Sequence, residues 1–98
     1  MTKSTEIVLK LGGELVAESS SRRNIAKAIA RLAANGSLVV IHGGGPDIDA
    51  ELAARGITKR AVDGLRVTDL ATLDVVVSIL AGRINTQLVA AARHAGVR

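Results

Sequence analysis

The sequence predicts an α/β fold, a three-layer α/β/α sandwich with a mainly parallel sheet plus a β-hairpin. Three observations predict it. Two short apolar runs, residues 7–11 and 38–41, each end in a glycine turn and are separated by a stretch of helical period. That β-α-β order gives parallel strands with helices packed on them. Asp63-Gly64 stands between residues 59–62 and 65–67, a strong two-residue hairpin signal. Finally, Leu70, Leu73, Val76, Val77, Leu80, Ile84, Leu88 and Ala91 keep helical spacing, which predicts a long closing helix over residues 70–91.

Taken in order, Met1 to Thr5 is polar and expected to fray. The first strand carries one charge, Lys10, and ends in Gly12-Gly13. A polar stretch at residues 18–21 holds three serines, any of which can cap the next helix. That helix is expected over residues 22–34, with Ile25, Ile29, Leu32 and Ala33 on one stripe, and Asn35-Gly36 stops it. Residues 38–41 are a continuous, mostly β-branched run, as expected of a strand buried on both faces. Gly43, Gly44 and Gly45 follow, and Pro46 suits the first turn of a helix that stops at Gly56. Beyond the hairpin, Thr68 or Asp69 can cap the last helix, and Gly96 ends it.

The two glycine turns are the candidate site. A strand, a glycine turn and a helix start aim free backbone N–H groups and a positive helix end at one point, which suits a carboxylate or a phosphate. Parallel strands that end at one sheet edge set two such loops side by side, where open α/β sheets bind ligands. Arg66, just after the hairpin turn, can fold over the second glycine turn and grip a carboxylate with its planar fork. His42, at the strand end, is read as a hydrogen-bonded structural residue. Asp47, Asp49 and His94 suit helix dipoles, and no metal ligand is assigned.

Composition narrows the function. A single domain, residues 1–98, fits the length. Hydrophobic residues make up 48% of the chain, yet there is no Phe, Tyr or Trp. Large side chains contribute roughly 1.5–3 kcal/mol each when buried, so an alanine-rich core predicts marginal stability. The net charge of +4 would attract phosphates, but without aromatic stacking platforms or a recognition-helix signature no nucleic-acid partner is expected. No apolar run approaches the ~20 residues of a membrane span, so no membrane partner is expected. A basic stretch leading into an apolar signal core is also missing, so a cytoplasmic protein is expected. The absence of cysteine excludes disulfides and thiolate metal sites.

Lys10-Leu11-Gly12-Gly13, His42-Gly43-Gly44-Gly45-Pro46, Gly64-Leu65-Arg66-Val67-Thr68 and Ala81-Gly82-Arg83-Ile84-Asn85 resemble, in order and spacing, the acetylglutamate kinases of the amino-acid kinase family. The resemblance covers nearly the whole chain. It implies an amino-acid kinase-like fold that is incomplete at the C-terminus, with residues 1–98 forming the amino-terminal, acetylglutamate-binding and dimerisation lobe. The implied reaction is phosphorylation of the side-chain carboxylate of N-acetyl-L-glutamate, with MgATP as co-substrate of the parent enzyme. Lys10 matches the catalytic lysine that stabilises the transferring phosphoryl group. Gly12 and Gly13 match the turn facing the nucleotide phosphates, Gly44 and Gly45 the backbone donors to substrate, and Arg66 the arginine on its α-carboxylate. The family's nucleotide lobe would lie beyond Arg98, so the chain alone is expected to be inactive. The helix over residues 70–91 implies a homo-oligomer. Only Met1 to Thr5 precede the first strand, so the regulatory amino-terminal helix of some members is not expected. The rival readings are an acetylaminoadipate kinase lobe, whose substrate is one methylene longer, and a non-catalytic folding or assembly fragment.

Overall fold

The computed structural model describes residues 5–98. Of the amino-terminal stretch expected to fray, Met1 to Ser4 lie outside the described residues, and Thr5 opens the first strand. Strand β1, Thr5–Leu11, pairs in parallel with β2, Gly36–His42, in the register Ile7↔Leu38, Leu9↔Val40 and Leu11↔His42. Between them run a short helix α1, Gly13–Ala17, and a longer one, α2, Ser19–Ala33. Helix α3, Gly45–Ala54, follows β2 and carries Pro46 in its first turn. A hairpin of β3, Ala61–Val62, and β4, Leu65–Arg66, leads into α4, Leu70–Val77, and α5, Asn85–His94.

Helices α1, α2, α3, α4 and α5 share one core. Val16, Ile29, Leu52, Val75, Ile84 and Leu88 are all buried in it, and Leu9, Leu38 and Val40 pack against it from the sheet. Along both strands burial alternates. Leu9, Leu11, Leu38, Val40 and His42 face the helices, whereas Val8, Val39 and Ile41 remain 68%, 57% and 48% exposed. The run at residues 38–41, expected to be buried on both faces, is therefore covered by this chain on one. Its β-branched composition belongs to a sheet whose second face the chain's own helices leave open.

Local chemistry moved several boundaries. Residues 14–17 are helical, and α2 begins at Ser19, earlier than the expected Arg22. The serines lie inside its first turn, and Glu18 occupies the cap position without a side-chain capping bond. Arg22 does the joining. Its Nη1 donates to the carbonyls of Val16 at 2.8 Å and Ala17 at 3.0 Å, satisfying the open end of α1. The hairpin turn is as the Asp-Gly pair predicts, with φ of +52° at Asp63 and +78° at Gly64. Its two strands, however, form a separate antiparallel pair and do not extend the parallel sheet. Ion pairs hold the hairpin to α3, as described below. Asp69 is the cap of α4, accepting from the Thr72 N–H at 2.9 Å.

The closing helix continues without a break from Leu70 to His94, but its middle, Ser78–Ile84, is wound as a π-helix. Such segments are short and local in helices and concentrate at functional sites. Ser78 Oγ donates back to the Val75 carbonyl at 3.0 Å at the entrance to this segment, a bond that bends helices. At 25 residues the continuous helix is long and apolar enough by composition to cross a bilayer, contrary to the reading of its apolar runs one at a time. The reason is that alanine and glycine link shorter apolar runs around Asp74 and Arg83. In the fold, its Val75, Ile79, Ile84 and Leu88 are buried in the shared core.

Candidate functional site

The two glycine turns meet. Leu11 and His42, the last residues of the paired strands, are register partners, and the Gly43 N–H donates to the Leu11 carbonyl at 2.9 Å. The chain then turns into α1 and α3 side by side. A Cβ placed on Gly13 would lie 2.8 Å from the backbone nitrogens of both Gly44 and Gly45, and one on Gly43 would lie 3.0 Å from the nitrogen of Gly13. These are backbone atoms with no rotamer to yield, so close approach requires glycine at Gly13 and leaves only a tight fit for a Cβ at Gly43. Gly12 and Gly45 have open space in the same direction.

Each turn starts a helix. Gly12 caps α1 and Gly44 caps α3, neither with a side-chain bond. Their first-turn N–H groups have no acceptor within the helix, and α3 adds the positive end of its dipole. Behind the turns stands the π segment. A Cβ on Gly44 would come within 2.6 Å of both Leu80 Cδ2 and Ile84 Cδ1. The closing helix is thus the wall against which the second glycine turn is seated.

Three side chains complete the surroundings. Lys10 lies one residue before the end of β1, paired in register with Ile41, exposed, and without an ion pair among the described residues. His42 Nδ1 lies 3.0 Å from the Gly43 carbonyl, and in the tautomer that carries the Nδ1 proton it donates there. Arg66, on β4, is held against α3. Its Nη2 donates to Asp49 Oδ1 at 2.7 Å, with the Arg66 side chain only 19% exposed. Lys59 Nζ donates to the other oxygen, Asp49 Oδ2, at 3.0 Å.

Asp49 therefore carries two cations, one from each arm of the hairpin. The Arg66 hydrogen bond is the main cause that holds its carboxyl below the usual carboxylate range; burial opposes it, and the Lys59 bond adds to it. A depressed folded value means that the anionic pair contributes fully at neutral pH. The contribution is lost as pH falls through that lowered value. Because the Asp49 side chain is 39% exposed, solvent screens this contribution.

Five of the expected donors are thus brought to one end of the sheet. Lys10, Gly12, Gly13, Gly44 and Gly45 cluster there through the strand register and the turn contact, whereas Arg66 is tied to α3 through Asp49 and touches neither glycine turn. Two clefts border His42, one walled by Leu80 and Ala81 and the other by Leu88 and Val89, with Asn85 in both. They are not lined by the glycine turns. Among the described residues, no cluster of three or more His, Asp or Glu could hold a metal ion. Asp49 was read from the sequence as a dipole partner alone, and Leu80 and Ile84 as core. Asp49 sits one turn into α3, and the basic residues flanking the hairpin were the signal that could have found its role.

Residues 5–98 match the model of the amino acid kinase family. Acetylglutamate kinase of Prochlorococcus marinus (strain NATL1A) is 41% identical over 91 residues, covering 92% of this chain and 30% of that protein. The enzyme of the same name from Shewanella halifaxensis is 42% identical over 92 residues, covering 93% of this chain and 34% of that protein. Among solved structures, N-acetylglutamate synthase from Neisseria gonorrhoeae, complexed with coenzyme A and N-acetyl-glutamate, superposes with a TM-score of 0.80 at 32% identity. That match covers 97% of this chain and 22% of the synthase. The chain thus spans about a third of the length of the curated relatives it matches.

Proposed function

The chain belongs to the amino acid kinase family, and on that premise we propose that it holds N-acetyl-L-glutamate for phosphorylation of the side-chain carboxylate. The carrying observation is the contact of the two turns, with Gly13 packed so close to Gly44 and Gly45 that no Cβ fits between them. Two sets of backbone donors and the start of α3 then converge on one anionic guest. In this reading Gly44 and Gly45 donate to the substrate, and Arg66 takes its α-carboxylate. Gly12 and Gly13 face the phosphates of ATP. Lys10 offsets the charge that builds as a carboxylate oxygen attacks the γ-phosphorus and the bond to the ADP oxygen breaks. Phosphoryl transfer depends mainly on such positioning and charge stabilisation. Three relatives named for acetylglutamate chemistry support the substrate class.

Calorimetric titration of the chain with N-acetyl-L-glutamate is expected to show saturable binding that Arg66→Ala abolishes. Equal affinity in the Arg66→Ala variant would remove Arg66 from the site, and no heat with the unaltered chain would reject the reading. Catalysis is a separate matter. The chain spans about a third of the length of its relatives. A coupled assay of ADP release with N-acetyl-L-glutamate and MgATP is therefore expected to stay at background. Turnover above background would show that residues 1–98 suffice.

A further inference from the structure

The Arg66 guanidinium is half committed. Nη2 is bonded to Asp49 Oδ1 at 2.7 Å, while Nη1 is shielded from solvent and has no hydrogen-bond partner among the described residues. A shielded donor without an acceptor is costly, and the cost is larger for a charged group. Asp49 itself engages both oxygens, one with Arg66 and the other with Lys59. Those two cations flank the Asp63-Gly64 turn, so a single carboxylate on α3 fixes the hairpin and the rotamer of Arg66 together. Asp49 is the fifth residue of α3, whose first residue, Gly45, belongs to the glycine turn. At about 1.5 Å of rise per residue, this anchors the guanidinium roughly one helical turn from the backbone donors.

We propose that Asp49 is a positioning residue for the substrate carboxylate: it clamps Arg66 by one nitrogen so that the unpaired nitrogen is reserved for the acidic guest of the glycine turn. The inference rests on the reading of that turn as the N-acetyl-L-glutamate site. Engagement of Nη1 keeps the Asp49 bond to Nη2 and requires only that the shielded side of the guanidinium open to the guest. If Asp49 were a competitor that must be displaced, removing its charge would tighten binding.

The test is a calorimetric cycle on the chain, with N-acetyl-L-glutamate as titrant and the thermal midpoint followed in parallel. Asp49→Asn is expected to weaken binding roughly tenfold, the effect typical of a coupled pair. Arg66→Lys keeps the charge but gives up the fork. In that background the same Asp49→Asn change is expected to weaken binding by less than about twofold. Asp49→Glu, which keeps the anion, is expected to recover part of the loss and serves as the readout if Asp49→Asn fails to fold. Unchanged or tighter binding in Asp49→Asn, or an equal loss in both backgrounds, would overturn the inference while leaving the site reading intact. Absence of binding to the unaltered chain would overturn both.

Discussion

Replacing Gly13 by alanine is expected to be the most damaging single-methyl change in the glycine turns, unfolding much of the population or parting the two loops. The added carbon would sit 2.8 Å from two backbone nitrogens, those of Gly44 and Gly45, and 3.0 Å from the Gly44 Cα. Overpacking in a well-fitted interior costs about 1–3 kcal/mol when side chains can adjust. Here the opposing atoms are main chain, anchored by β2 on one side and α3 on the other, so the upper end of that range applies. A domain whose core has no aromatic residue has little reserve against it. Two neighbouring glycines serve as internal controls. Gly44→Ala meets only the ends of Leu80 and Ile84, which can rotate, so its effect should be intermediate. Gly12→Ala meets nothing within 4 Å and has a φ of −66°, so it should be nearly neutral. Denaturant midpoints of the three variants give the ranking. A Gly12→Ala loss equal to that of Gly13→Ala would mean that turn contact is not what these glycines serve.

Ile84→Ala is the second large effect. Ile84 is fully buried at the end of the π segment, with its Cδ1 lying where a Gly44 side chain would be. Truncation removes apolar burial and leaves a cavity, a loss of about 2–5 kcal/mol for such a residue. It also takes away the wall behind Gly44, so affinity for N-acetyl-L-glutamate should fall in the fraction that stays folded. Urea unfolding measures the first part and calorimetry below the transition the second. A destabilised variant with unaltered affinity would confine Ile84 to the core and separate it from the site.

Much of this arrangement was written locally in the chain. The two apolar runs, their glycine ends, Pro46 and the Asp63-Gly64 turn each act through a few neighbouring residues, so their period and turn chemistry could be read directly. The strand register followed, and with it the meeting of the glycine turns. What escaped reading depends on contacts that no single local pattern specifies. The early start of α2 is coupled to Arg22 reaching the carbonyls of Val16 and Ala17. The hairpin stands apart from the parallel sheet, tied to α3 through Asp49, a carboxylate 17 residues from Arg66. The π winding at Ser78–Ile84 shifts the buried stripe: the core positions run Val75, Ile79, Ile84 and Leu88, with a five-residue step across the segment, and Leu70, Leu73 and Val77 of the expected stripe stay exposed. The alternating exposure of residues 38–41 depends on which layers cover the sheet, and composition alone cannot supply that.

The account depends on a shared anion site where β1 and β2 end, and amide shifts of an isotope-labelled chain titrated with N-acetyl-L-glutamate test it most directly. The expected result is that the Gly13, Gly44 and Gly45 amides and the Arg66 side-chain Nε resonance move together and saturate at one ligand per chain. Binding that leaves those four signals in place while moving others would contradict it.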